Sequence, residues 1–483
     1  MENTLLSLQS SIAVTLLVGS FFIGLGYVNS KKIPDNKNYI VGGRNEDTFS
    51  LTTSLTASAL GAWILFGPAS AATWGGIGAV IGYALGTAAP MLFLFNFGPK
   101  IRKEFPNGLT LTEFIRRRFG LRILKKSLFL IFFYMTIFLI AEVTAIAYLL
   151  NYISKVPLWV TSAITLIICL LYVLRGGFKL SIITDKYQFI FIVLMILISV
   201  FLILGNIELS SFELIKKNSP LLIDKNYLPN YTAGLTFFIA VAATNLFHQG
   251  NWQRVFSAKN NSVLKSSLIY SSILIFFIVF WTGYSGLIAY SLNPELKPDL
   301  GFFDLIFKDR SSLIIIGVLV LALSLTLSTI DTLINAISSL LIVNGEQINK
   351  SLKGKEIKKK ANLIILFLSI LVFILASKGY SILYLFLLAD LLCSAAVITI
   401  FYGFFNKKIN SKLASSAIFC GLIFGLLFFP SQDFQSSILV GSLISIDNFS
   451  VFIKSNLLFI SFFVSLFIPF LIITIYSLRS SFK

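Results

Sequence analysis

Long apolar runs separated by short basic connections make up this sequence, and that alternation leaves it few ways to fold. A bilayer crossing takes about 20 apolar residues in helical form. On that measure the runs divide into about 13 expected helices, roughly 6–29, 50–71, 77–98, 128–151, 158–174, 182–205, 231–249, 266–290, 312–343, 362–377, 380–403, 413–430 and 455–478. Hydrophobic residues are 56% of the chain and charged ones 12%, about half the charged share usual in soluble domains. The fold class expected is therefore an all-α, multi-pass membrane protein.

The net charge of +18 would suggest nucleic acid in a soluble chain. Here Lys and Arg fall between the apolar runs, where they act as topology markers and lipid-surface contacts, so no nucleic-acid partner is expected. Nine basic residues lie from Lys100 to Lys126 and six from Lys350 to Lys360, with Lys31, Lys32, Lys37 and Arg44 in the first connection and Lys407, Lys408 and Lys412 near the end. Placing those connections in the cytoplasm puts the N-terminus outside and the C-terminus inside, in a bacterial-type inner membrane. The run Leu5–Val28 lacks a basic n-region and is too long for a signal peptide, so it is expected to remain as a helix.

Enzymatic chemistry has little to work with. The chain has one histidine, His248, and no HExxH or GxSxG pattern. Cys169, Cys393 and Cys420 lie inside apolar runs without ligand spacing, as buried thiols would. The longest polar connection, of about 30 residues, is too short for a soluble domain. No catalytic residue, no organic cofactor and no obligatory protein partner are expected.

Two of the apolar runs are interrupted. Residues 50–76 are studded with Ser, Thr and Gly and carry Gly67-Pro68; residues 231–254 end in the polar run His248-Gln249-Gly250-Asn251. A break at membrane depth is tolerated only where the freed backbone groups meet protein, an ion or a wet cavity. Broken segments in corresponding places of two halves point to a transporter that binds its cargo near the midplane. Expected helices 2–6 and 7–11 make two sets of five, each opening on a break; five being odd, the sets insert in opposite orientation. The expected division is an extra helix and connection at 1–49, inverted repeats at 50–205 and 206–403, and extra helices at 404–483.

Several residues could carry the chemistry. Leu325, Ser328 and Thr329 share a face of the ninth run, presenting two hydroxyls suited to a hard cation such as Na+; alternatively the hydroxyls bond back to their own i−4 carbonyls or to another helix. Glu142 and Asp331 are intramembrane acids, each a functional candidate or a protonated, hydrogen-bonded group. Asp185 either pairs with Lys186 or Lys179 or lines an inner exit for a cation. His248, and with it Gln249, stands where a solute would sit, or is a satisfied polar group. Trp63 offers a flat wall and Gly67 a close backbone approach, or both are helix packing.

With these residues in view, the chain resembles the sodium:solute symporter family, which includes proline permeases and sodium/galactose symporters. The resemblance covers about residues 5–430, through GGR at 42–44, LTLTEFIRRRFG at 109–120, RGGFKLSIITDKYQ at 175–188, QGNWQRVFSAK at 249–259 and LSTIDTLINAISS at 327–339. It implies a LeuT-like core of two inverted five-helix repeats and import of a solute coupled to Na+. It also implies a sodium site on Ala57, Leu60, Ser328 and Thr329, with Leu325 where the family often has Ala, an exit residue at Asp185, and solute contacts at Trp63, Gly67 and His248. Ala59 replaces an acid of the proline permeases, and the polar set that sugar symporters use around 60–95 is missing. The expected activity is sodium-coupled uptake of a small polar organic solute by alternating access, an amino acid such as proline favoured. The alternatives are proton coupling, a cargo of urea, a carboxylate or a sugar, and a solute sensor built on the same fold.

Overall fold

A computed structural model describes residues 4–30, 36–205, 210–307, 311–348, 355–432, 434, 436–437, 439 and 449–479. Most of 430–450, between the last two expected helices, lies outside these residues, as do Lys31 and Lys32. The described chain runs through α1 (Leu8–Ser30), α2 (Asn36–Val41), α3 (Thr48–Ala59), α4 (Gly67–Glu104), α5 (Leu111–Phe119), α6 (Leu121–Ser154) and α7 (Leu158–Leu204). It continues with α8 (Ser211–Asn218), α9 (Leu228–Phe247), α10 (Gln249–Ser257), α11 (Asn261–Leu292), α12 (Gly301–Phe307), α13 (Ser312–Ile348) and α14 (Lys355–Ala376). The last elements are α15 (Ile382–Val397), extended by a π turn into α16 (Gly403–Phe405), then α17 (Ser411–Phe428), α18 (Val451–Ser455) and α19 (Leu457–Arg479). Only isolated bridges interrupt the helices among the described residues; one joins Glu46 to Ala258 and so ties the entry of one broken element to the exit of the other.

Ten helices among the described residues are long and apolar enough to cross a membrane, and Leu158–Leu174 is apolar but shorter. α6, α13 and α15 each bury 72% of their most apolar stretch, whereas α1 buries 28% and α17 22%. The first three therefore form the interior, and the others turn Phe, Leu and Ile to lipid. α3 and α9, which lead into the two breaks, are not among the ten: α3 is only 12 residues long, and the Thr and Asn residues of the 20-residue α9 lower its hydropathy.

Two glycines replace loops that the sequence suggested. The connection expected at 175–181 is helical, and α7 bends within it at Gly177 (φ 57°, ψ −155°). α4 bends in the same way at Gly76 (φ 57°, ψ −156°), so the second broken half and the following helix are joined by a single residue. At this φ a side chain is strained, and a Cβ on Gly76 would stand 2.3 Å from Asn230 Oδ1. Farther along, Gly78 and Gly82 bring α4 against α9 backbone to backbone: a Cβ on Gly82 would meet the Gly234 carbonyl at 2.1 Å. Small residues at such a crossing allow the close approach that membrane helices use in place of a hydrophobic driving force.

Candidate functional site

The first break is not where the sequence suggested. α3 starts on Asp47, whose side chain accepts from Ser50 N at 2.7 Å, a bond that holds this carboxyl below its usual range. The helix runs to Ala59 and then opens at Leu60 (φ −105°, ψ 94°) and Gly61 (φ −87°, ψ −178°). Gly67-Pro68, expected to be the break, instead begins α4, since proline fits the first helical turn where its missing N–H costs nothing. Of the backbone groups freed at Leu60-Gly61, the Leu60 N–H returns to the Ala57 carbonyl at 3.3 Å and the Ala62 N–H reaches Glu142 Oε2 at 2.9 Å. Glu142 lies so close that a Cβ on Gly61 would be 2.0 Å from its Oε1.

The second break falls where the sequence put it. α9 stops at Phe247, His248 is extended (ψ 107°), and α10 resumes at Gln249. Its freed carbonyls are capped locally: Asn251 Nδ2 donates to Asn245 O at 2.9 Å and Trp252 Nε1 to Leu246 O at 2.8 Å. Gln249 turns away, its Oε1 accepting from Leu111 N at 3.2 Å and its Nε2 donating to Leu109 O at 3.3 Å. Of the polar run, only His248 faces the space between the breaks.

That space is a narrow cavity of about 30 Å³, room for a water or two in this arrangement of the helices. Trp63, Tyr83, Phe138 and Phe386 wall it; the Trp63 and Tyr83 rings stack with centroids 5.7 Å apart, and Phe138 meets Phe386 edge-on at 4.6 Å. Ser58 from α3, beside Ala59, Asn245 from α9, His248 at the second break and Thr329 from α13 add the polar edge. Asp390 of α15 completes it, an intramembrane acid the sequence reading passed over although it carries the same signal as Glu142. Gly67, Glu142 and Gln249 do not line this cavity.

One helical turn back along α3, about 6 Å from Ser58, lies a charged cluster. Asp185 is fully buried and pairs with neither Lys179 nor Lys186; its partner is Arg254, at 2.8 Å. Ser54 donates to the same carboxylate oxygen and Ser328 to the other, at 2.7 Å. Arg254 also donates to Ser54 Oγ at 2.8 Å, Gly250 O at 3.0 Å and Thr332 Oγ1 at 3.2 Å. Asp331 sits beside this cluster with its own donors, Ser181 at 2.7 Å, Thr184 at 3.1 Å and Tyr172 at 3.2 Å, which fasten α13 to α7.

The hydroxyls of α13 behave differently from one another. Ser324 bonds back to Val320 O at 2.8 Å. Ser328 instead turns to Asp185, and Thr329 Oγ1 is buried without a hydrogen-bond partner. Leu325, one turn earlier, is wholly buried. Thr56 Oγ1, near the end of α3 that carries Ala57 and Leu60, is also buried and unpartnered. These are hard oxygen donors with unspent lone pairs, a set that suits an alkali cation and not a softer metal; no cluster of three His, Cys, Asp or Glu side chains occurs among the described residues.

The sodium:solute symporter family profile matches residues 39–425, most of the chain. The chain belongs to that family. A spermidine transporter of Candida albicans is 24% identical over 82% of this chain and 75% of its own. A sodium/proline symporter of Haemophilus influenzae is 28% identical over 46% of each chain, and a sodium/glucose cotransporter of Danio rerio 26% identical over 59% of this chain and 47% of its own. Among solved structures, a substrate-bound, outward-open Na+-coupled sialic acid symporter superposes with a TM-score of 0.73 at 17% identity, covering 95% of this chain and 96% of that one. A nucleobase-cation-symport-1 family transporter, closed on bromovinylhydantoin, superposes at 0.55 and 14% identity over 93% and 97%. The symporter thus has the LeuT-like fold expected of its family; it is a multi-pass, sodium-coupled transporter and not an enzyme.

Proposed function

We propose that this symporter imports a small polar organic solute held in the cavity between the two breaks, with Na+ bound on the adjoining face of α13. The observation that carries the reading is the pair Ser328 and Thr329: neither hydroxyl is spent on its own helix, and Thr329 opens into the same cavity as Ser58 and Ala59. A cation bound there would join α3 to α13 through the Thr329 hydroxyl and the carbonyls near Ala57 and Leu60, favouring one arrangement of the broken helix over the other. Coupling requires that differential affinity. Asp185, reached through Ser328, is the group to which Na+ would pass next, and Arg254 occupies it until then. The N-terminus is taken as outside and the C-terminus as cytoplasmic, so that Na+ and solute move inward together.

The relatives carry the names of a polyamine, an amino acid and a sugar. The sodium/proline symporter matches under half of this chain, and the spermidine transporter extends over far more of it. Na+ binding is tested by uptake into proteoliposomes under an inward Na+ gradient and with K+ in its place. Ser328→Ala with Thr329→Ala is expected to raise the Na+ concentration for half-maximal uptake tenfold or more, since each lost ligand worth about 1.4 kcal/mol is one factor of ten. Unchanged Na+ dependence in the double variant would remove the site from α13, and uptake that follows a pH gradient without Na+ would replace the coupling ion.

A further inference from the structure

The chemical class of the solute rests on its binding between the breaks, as proposed above, and the charges around that cavity narrow the class. Asp390 is 3% exposed, its Oδ1 has no hydrogen-bond partner, and it forms no ion pair among the described residues. Thr244 is a polar neighbour of its carboxyl group. No Lys or Arg lines the cavity. An acid at membrane depth with a buried, unpartnered oxygen is costly unless something positive arrives to meet it.

The positive groups near the cavity are already committed. In broken-helix transporters the amides at the start of a half-helix receive anionic groups of the cargo. Here the Ala62 N–H is bonded to the chain's own Glu142, and Gly61 is the only residue type that leaves room for that carboxyl group. Arg254, the guanidinium of the adjoining charged cluster, is held by Asp185, Ser54, Gly250 and Thr332. A solute carboxylate would therefore find no free donor of positive charge. The walls suit the opposite sign: Trp63, Tyr83, Phe138 and Phe386 present π-systems, which attract an ammonium more strongly when water is excluded. His248, which also lines the cavity, keeps a buried Nδ1 without a hydrogen-bond partner.

We propose that the transported solute is an organic cation whose ammonium group is bound by Asp390 inside this aromatic enclosure. Asp390 then sets specificity by charge, and Glu142 excludes carboxylates by occupying the amides they would use. The acid missing at Ala59 is supplied from another helix, on a cavity that both residues line.

The test uses the full chain in proteoliposomes with an inward Na+ gradient and labelled putrescine, choline, proline and glucose, together with thermal unfolding of the detergent-purified protein in Na+ with each solute. Na+-dependent accumulation of putrescine or choline, inhibited by other amines and not by proline or glucose, is expected. Asp390→Asn is expected to lower that uptake by about 100-fold, as for loss of one member of a buried charge pair, and Asp390→Glu to restore part of it. Wild-type uptake of the amine by Asp390→Asn would overturn the assignment. So would amines that neither accumulate nor raise the unfolding temperature of the wild type. Should Asp390→Asn elute only as aggregate, the wild-type competition series decides. Na+-dependent uptake of proline or glucose that amines do not inhibit would overturn the cation assignment and leave sodium coupling intact; amine uptake dependent on Asp390 but indifferent to Na+ would do the reverse.

Discussion

At the scale of single residues, the interior is governed by the cost of unpaired charge. Asp185 and Arg254 are both inaccessible to solvent, and the side chains that bond to them, Ser54, Ser328 and Thr332, are hydroxyls from different turns of packed helix. Removing one member of such a pair leaves the other buried and uncompensated, a loss of about 3–5 kcal/mol, whereas replacing both is far milder. Arg254→Gln is thus expected to lower the apparent unfolding temperature of the purified protein markedly, and Asp185→Asn combined with Arg254→Gln to recover most of the loss. Equal destabilisation by the single and the double variant would mean that the pair contributes packing and not charge compensation. Glu142 illustrates a different use of an acid: it satisfies the amide freed at the break, so its depth in the membrane reflects backbone accounting as much as cargo recognition.

Among elements, the breaks and bends arise from the needs of the backbone. α3 opens at Leu60-Gly61 because Glu142 stands beside it, and α9 opens at His248 because Asn251 and Trp252 cap the carbonyls left behind. The crossing of α4 and α9 depends on Gly82, where a Cβ would meet backbone that cannot give way. Gly82→Val is expected to destabilise the protein by more than about 3 kcal/mol, at or beyond the upper end of overpacking costs. Gly24→Ala on α1, where a Cβ meets nothing within 4 Å, is expected to be neutral or to stabilise by up to about 1 kcal/mol through helix propensity. Thermal unfolding of the two variants beside the wild type checks both; a tolerated Gly82→Val would mean that the two helices are not held at backbone contact.

For the whole molecule, sodium coupling makes a statement about stability. A cation that binds the folded protein and not the unfolded chain stabilises it by about 2.7 kcal/mol at a concentration 100 times its dissociation constant. The unfolding temperature is therefore expected to rise with Na+ and not with K+ at equal ionic strength, and the rise to vanish in the Ser328→Ala, Thr329→Ala variant; an equal rise with both salts would point to screening and not to a site. The membrane class, the existence of two broken elements, the second break and the α13 hydroxyls are all legible in the sequence, because each is a local property of composition or spacing. The resemblance carried by five short motifs is legible too, and the family match bears it out. The first break lies several residues before the expected one, since Gly67-Pro68 is a helix breaker only in mid-helix and here it starts one. The partner of Asp185 lies 69 positions away, and no periodicity connects Asp185 to Arg254. The rule that flags Glu142 also finds Asp390, but it does not tell which acid faces cargo and which caps backbone. The sequence by itself determined how much of the chain is buried in lipid and where it cannot remain helical. Only the tertiary structure decided which freed groups satisfy one another and which, Asp390 and Thr329 above all, are left over for a ligand, because pairing inside a membrane is a property of helices packed together and not of any one of them.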